Sequence, residues 1–372
     1  MLYLGMDQHK SQITVNLRSE DGEIVLQRQV STRWKKIRTF FDNLTERAAR
    51  EGGFMAIVEV CGMNPWLIEI LEEYNCSELV ITQPENRSKQ KTDRRDANGL
   101  SYLLWVNRHR VTGGQQVPGM RRINPPTPQE AEDRQLTTMR QTLTQKRTAV
   151  LNALHKILRK HNFEQDRPTK HFKTKKVREW LATMYLPEID RLEADQLLAQ
   201  WALLDEQLGE LDAKISERVQ GNEEVRLLQS MPGLGEYSAL AIRSRISNIE
   251  RFKRPDSLAN YFGLTPGCRN SGEATQRLGS ITKQGSKIVR HLLGQAVVKV
   301  LQRDGTMRKW YKRIKKRRGS KIARVATMRR MVTILWHMLK KNEEYRCASP
   351  ANRFEEFDKF SGEPEAAQKA VG

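Results

Sequence analysis

Asp93 and Asp96 stand three residues apart in Lys91-Thr92-Asp93-Arg94-Arg95-Asp96, where a helix is predicted over residues 97–106. Positions i and i+3 share a helix face, so the two carboxylates can address one point. Carboxylates that close repel, and the helix N-terminus with Lys91, Arg94 and Arg95 offsets this only in part. A bound divalent cation would offset it far better. The pair also reads as an N-cap and a first-turn acid, which helices favour without any ligand. Further acids arriving from elsewhere in the chain would decide between these readings.

Two such acids precede the pair. Asp7 closes an apolar strand at residues 2–7, and Glu59 sits near the end of another at 54–60. Ligand sites in open α/β sheets gather at the C-terminal ends of strands. A terminal Asp also serves as a turn former. Glu is a poor strand residue and costly to bury unpaired. Asp7, Glu59, Asp93 and Asp96 could therefore converge on one or two Mg²⁺ ions. Hard cations prefer carboxylate oxygens, and paired ions about 4 Å apart serve phosphoryl displacement.

The elements around these acids alternate. Strands are expected at 2–7, 13–17, 24–30, 54–60 and 79–82, with Asp21-Gly22 as a hairpin turn. Helices are expected at 34–49, where Ile37, Phe40, Phe41 and Leu44 share a face, and at 65–74. The pattern is α/β with a mixed sheet. Residues 107–128, with Gly113-Gly114, Pro118-Gly119 and Pro125-Pro126, read as a linker or extended loop.

A mainly helical remainder follows, so the fold class is α/β plus α. A helix over about 129–160 carries Leu136, Leu143, Val150 and Ile157 every seven residues. A second, over about 193–219, carries Leu197, Trp201, Leu204, Leu208, Leu211 and Ile215 at coiled-coil spacing. The two helices could pair within one chain or between chains. The basic segment 161–176 between them reads as a loop. Met231-Pro232-Gly233-Leu234-Gly235 looks like the turn of a helix-hairpin-helix unit, and the backbone N–H groups of Gly233 and Gly235 could meet a phosphate. A helix is expected at 257–262.

The 372-residue chain carries 65 basic and 44 acidic residues, a formal charge of +21 that implies a polyanionic partner. Residues 303–330 hold 13 basic side chains against Asp304 alone. Arg308, Lys309, Lys312, Arg313, Lys315, Lys316, Arg317, Arg318, Lys321 and Arg324 form the densest stretch and read as a surface for DNA or structured RNA. Trp310 and Tyr311 among them could stack on bases or anchor to the core. Four scattered cysteines without a CxxC pair argue against a zinc ribbon or disulfide scaffold and fit a reducing cytoplasm. The N-terminus lacks signal-peptide features, and no run approaches membrane-span length. Residues 350–372 read as a polar, disordered tail.

Asp7 in Leu-Gly-Met-Asp, Glu59 in Val-Glu-Val-Cys-Gly, and Asp93/Asp96 in Lys-Thr-Asp-Arg-Arg-Asp-Ala resemble the DEDD set of insertion-sequence transposases with a RuvC-like domain. Cys61 is a departure, where a smaller residue is expected. Gly263-Leu264-Thr265-Pro266, Ser271-Gly272 and Lys283-x-Gly285 resemble the C-terminal domain of the same family.

The resemblance implies an RNase H-like fold for residues 1–110, a linker at 111–128 and a coiled-coil region at 129–222. It implies a transposase domain at 223–345, with 346–372 as the tail. In bridge-RNA-guided members the serine matching Ser271 is the recombination nucleophile, so the resemblance implies a phosphoserine intermediate. Arg269 and Lys283 could steady the phosphate; Ser280 and Ser286 are rival serines. Implied partners are donor and target double-stranded DNA, a bridge RNA, and further copies forming a homodimer or tetramer. A RuvC-like nuclease using metal-activated water shares the four acids without needing Ser271. A nucleic-acid-binding scaffold would need neither.

Overall fold

A computed structural model describes residues 1–62, 64–84, 93–269 and 277–346. The chain divides into two compact units, Met1–Pro125 and Pro126–Gly372.

The first unit is a six-stranded sheet. Its strands are β1 (Leu2–Gln8), β2 (Gln12–Arg18), β3 (Ile24–Ser31), β4 (Phe54–Glu59), β5 (Glu78–Pro84) and β6 (Met120–Arg122), ordered β3-β2-β1-β4-β5-β6. β1, β2 and β3 form an antiparallel meander, whereas β4 and β5 run parallel to β1. Two helices provide the connections to the parallel strands, α1 (Trp34–Arg50) into β4 and α2 (Pro65–Glu73) into β5. α3 (Asp93–Val106) and α4 (Arg108–Thr112) follow.

Alternation along each strand sorts side chains to two faces. Leu2, Leu4 and Met6 of β1 and Phe54, Ala56 and Val58 of β4 pack with Ile37, Phe40 and Phe41 of α1 and Leu67 and Ile70 of α2. Tyr3, Met55 and Ile57 face the other way, toward Leu100 and Leu104 of α3. Burying each of these leucines contributes about 1.5–3 kcal/mol.

The stretch expected to be a linker contributes to this unit instead. Val111, Val117 and Met120 are buried in the α3-side core, and β6 pairs antiparallel with the end of β5. The Gly and Pro residues there shape turns around one short edge strand. This mixed α/β unit fits an RNase H-like arrangement.

The second unit is mainly helical. α5 (Pro128–Lys160) opens with a capping box in which Thr127 and Glu130 satisfy each other's backbone N–H. α6 (Lys175–Thr183) and α7 (Glu188–Gln220) follow. α5 and α7 lie antiparallel, because Arg140 pairs with Asp212, Arg147 with Asp205 and Lys160 with Asp190. The two long helices therefore meet within one chain. Val150, Leu154 and Ile157 face Trp201 and Leu204, with Phe172, Val177 and Leu181 closing the cluster. α6 lies in the segment beyond the expected loop.

The rest of the unit comprises α8 (Glu223–Gln229), α9 (Glu236–Ile246), α10 (Pro255–Tyr261), the hairpin β7 (Pro266–Arg269) and β8 (Arg277–Ile281), α11 (Lys287–Arg303) and α12 (Gly305–Lys341). α12 is broken at Gly319, whose φ of 82° and ψ of 167° are open in practice only to glycine. Among the described residues, no helix is long and apolar enough to cross a membrane.

Candidate active site and nucleic-acid surface

Asp7 and Glu59 each lie one residue beyond the register pair Met6–Val58, on adjacent parallel strands and at the same sheet edge. As odd-numbered positions they belong to the face that α3 covers. Asp7 is buried, and Glu59 is partly exposed at the end of its strand.

α3 approaches this face closely because β1 carries a glycine. A Cβ on Gly5 would fall 2.4 Å from both the Ala97 carbonyl oxygen and the Ser101 backbone nitrogen. The helix runs opposite to β1. At its far end the Trp105 indole donates to the Glu20 carbonyl at 2.9 Å, beside the β2–β3 turn. Its first residues, including Asp93 and Asp96, therefore start at the edge where Asp7 and Glu59 end. Asp96 is partly buried there. The backbone of Asp93 begins the helix, and its side chain lies outside the described residues.

A buried polar network fixes α3 on the sheet. Ser101 donates to Asn16 at 2.6 Å, Arg18 donates to Ser101 at 3.1 Å, and a second Arg18 nitrogen donates to Asn98. Buried polar groups are costly unless paired, so this network favours one helix position over others.

Three neighbours of the acids escaped the sequence reading. His9 Nε2 lies 3.1 Å from the Asp7 carboxylate. Asn64 donates to Gln8 at 2.8 Å and to the Glu59 carbonyl at 3.3 Å, and it accepts from the Cys61 backbone. Asn64 thus ties the end of β4 to the end of β1, holding the two acid-bearing positions in register. Asn64-Pro65 at a strand-to-helix turn was the available signal.

The donor set is oxygen-rich and fits a hard divalent cation. Among the described residues, no three Asp, Glu, His or Cys side chains stand close enough together to hold one. Burial pushes the Cys76 thiol up to about 12, which removes it as a nucleophile near neutral pH.

In the second unit Ser271 lies outside the described residues, as do the side chains of Arg269 and Arg277, which are register partners at the end of the β7–β8 pair. The base of that hairpin is tightly built. A Cβ on Gly263 would meet the Gln284 carbonyl at 2.0 Å, and one on Gly285 would meet the Tyr261 carbonyl at 2.0 Å. The Arg290 guanidinium donates to the carbonyls of Phe262 and Gln284 at 3.0 Å and of Gly285 at 3.2 Å. Burial lowers its pKa below the usual guanidinium value. Lys283 is exposed between these contacts at a φ of 56°. Ser286 caps α11 by accepting from Val289, whereas Ser280 is exposed on β8.

Gly233 and Gly235 occupy the turn between α8 and α9. Gly233 packs against α11, where a Cβ would meet Ala296 Cα at 3.0 Å, and Gly235 begins α9. The hollow beside the turn, about 500 Å³, is shared by Arg140 with Asp212 and Glu236. Those acids weaken it as an anion cradle.

The basic stretch forms the first part of α12. Several of its cations serve the fold. Arg308 donates to the Leu301 carbonyl at 2.6 Å and Arg324 to the Gly294 carbonyl at 2.5 Å, while Arg330 lies 4.6 Å from the Trp310 ring centroid. Trp310 is packed against the core, which makes it an anchor rather than an open stacking platform. Lys309, Lys312, Arg313, Lys315, Lys316, Arg317, Arg318 and Lys321 are exposed. Reversing Lys315, Lys316, Arg317 and Arg318 to Glu is expected to flatten the slope of log affinity against log salt by about 3 for duplex DNA. Titration by fluorescence anisotropy checks this, and an unchanged slope places the binding surface elsewhere.

Residues 4–163 match the DEDD IS110 family model, described as a transposase, and residues 225–312 match the Transposase IS116/IS110/IS902 family. The chain belongs to this transposase family. The four acids fall within the first match, and Gly233, Arg269, Ser271 and Lys283 within the second. This transposase is 26% identical over 303 residues to the transposase for insertion sequence element IS1111A of Coxiella burnetii, covering 79% of each chain. It is 23% identical to a probable family 20 transposase of Pseudomonas aeruginosa, covering 92% of this chain and 98% of that one. It is also 28% identical over 126 residues to the pilin gene-inverting protein of Moraxella bovis, covering 33% of this chain and 39% of the other.

Proposed function

We propose that the chain recombines DNA by cutting and rejoining strands through a phosphoserine link at Ser271, aided by Mg²⁺ at Asp7, Glu59, Asp93 and Asp96. The observation that carries this reading is the meeting of the β1 and β4 ends, with their acids, under the start of α3. A bound divalent ion there would supply Lewis-acid stabilisation of charge at the phosphate. The chain's own residues do the rest. Asn64 and Gln8 hold the acid-bearing strand ends together, and His9 orients the Asp7 carboxylate.

In the proposed step the Ser271 hydroxyl oxygen attacks phosphorus and the 3′ oxygen leaves as a hydroxyl. A serine is a poor nucleophile until its proton is removed, and Arg269 and Lys283, as cations, cannot accept that proton. Both residue sets must reach one phosphodiester, from one subunit or from two, and recombination of two DNA segments favours a dimer or tetramer. The exposed cations of α12 contact DNA or a guide RNA, and the Gly233–Gly235 turn adds a backbone phosphate contact. Relation to a gene-inverting protein supports a cut-and-rejoin outcome.

The test is covalent trapping. The chain, Mg²⁺, the RNA transcribed from beside its gene and nicked donor DNA are combined and separated on a denaturing gel. A DNA-shifted protein band that disappears in Ser271→Ala supports the reading. Cleaved DNA with no shifted band, equally abundant in Ser271→Ala, replaces it with a metal-dependent nuclease.

A further inference from the structure

We infer that the edge bearing Asp7 and Glu59 also carries a nucleotide seat, in which Lys10, Arg33 and Lys36 hold a backbone phosphate and Trp34 stacks on an unpaired base. The inference rests on the transposase reading above and names a substrate contact at the same site.

Topology places the seat. β2 and β3 each run antiparallel to the preceding strand, so the β1–β2 turn and the end of β3 share the edge where β1 ends. Two hydrogen bonds tie them. Thr32 N donates to the Ser11 carbonyl at 3.1 Å, and Thr32 Oγ1 donates to the Lys10 carbonyl at 3.2 Å. α1 begins here with Trp34, and α2, which follows the end of β4, begins here with Pro65 and Trp66.

A hollow of about 730 Å³ lies between these segments, lined by Lys10, Ser11, Ser31, Thr32, Arg33 and Lys36. Its lining therefore offers three cations and three hydroxyls. Among the described residues no carboxylate pairs with any of the three cations, although ion pairs are common elsewhere in the chain. That composition suits a phosphate, with point charges to attract it and hydroxyls to donate to its oxygens.

Trp34 supplies the second, independent observation. It is 58% exposed, although tryptophan is usually well covered. Trp66 braces it edge-on at a centroid distance of 5.7 Å. Arg38, held by Glu73 at 2.7 Å, lies 5.9 Å from the ring centroid. A braced, exposed indole beside a cationic hollow is the arrangement that binds single strands by stacking and charge together. Bases inside a duplex have both faces covered by neighbours, so the base taken is an unpaired one. Strand cutting and exchange create such nucleotides next to the reacting phosphate.

Photocrosslinking of the full-length chain tests the seat. The probe is a short single-stranded DNA oligonucleotide carrying 5-iodouracil, irradiated without divalent metal and mapped by peptide mass spectrometry. The expected adduct is on Trp34, stronger for the single strand than for the same strand annealed to its complement. In Lys10→Glu/Arg33→Glu/Lys36→Glu its yield should fall at least about fivefold, with circular dichroism unchanged. Trp34→Phe should retain affinity for the oligonucleotide, and Trp34→Ala should lose it by a similar factor.

Adducts confined to other aromatic residues, or a yield indifferent to the three reversals, overturn the seat. Repeating the experiment in Asp7→Asn separates the two readings, because the adduct needs no cleavage. An adduct that persists where covalent trapping fails keeps the seat and removes the recombinase chemistry. Trapping without the adduct does the reverse.

Discussion

Asp7→Asn is expected to lower strand cleavage by about a thousandfold, because it removes one carboxylate charge worth several kcal/mol of ion-mediated stabilisation at the phosphate. The fold should survive. Asn has the size of Asp, retains an oxygen toward His9, and removes a charge that is 6% exposed and costly to bury. Nucleic-acid binding should survive as well, since the dense cationic stretch lies in the other unit. Cleavage rates with wild type and variant, alongside thermal melts, read the two effects apart. A variant that cleaves within tenfold of wild type removes Asp7 from the chemistry, and one that no longer folds makes its role structural.

Gly5→Ala should act through the same site by a different route and cost about 4 kcal/mol or more, the range reserved for serious backbone conflict. The new methyl would meet main-chain atoms of α3 at 2.4 Å, and main chain cannot rotate away as a flexible side chain can. Either β1 or α3 must move. Movement of α3 breaks the Arg18–Ser101–Asn16 network and lifts Leu100 and Leu104 from their core. It also displaces Asp93 and Asp96 from the sheet edge. Urea denaturation of the purified variant measures the loss. A loss below about 1 kcal/mol would show that the helix rides on the sheet more loosely than the contact implies.

The sheet was largely legible because its strands are short apolar runs with clear turn signals. The six residues of β4 bury all but the last, and that exception is the glutamate that attracts attention. β6 was not legible. It has three residues, and only Met120 is buried among glycines and prolines that read as a loop. α6 was hidden for a related reason, since Val177 and Leu181 are its only buried residues within a lysine-rich run. The polar seam under α3 could not be read at all. Thr14, Asn16 and Ser101 are fully buried, yet hydropathy places such residues outside. Within the site, acids at strand ends were visible from pattern alone. The contributions of His9 and Asn64 depend on which strand ends meet, and Ser271 was singled out only by family likeness.

Gly319 separates two rules of sequence variation. An unbroken helix advances by a fixed rotation per residue, so charges on one half and apolar residues on the other would be locked in angular phase. The glycine resets that phase. Beyond it, Ala323, Thr327, Met331 and Leu335 keep a strict inward periodicity, whereas residues 312–318 are cationic nearly all round. Descendants of this chain are therefore free to reshuffle their arm charges as nucleic-acid partners drift, without any compensating change in the packed half, as long as position 319 remains glycine.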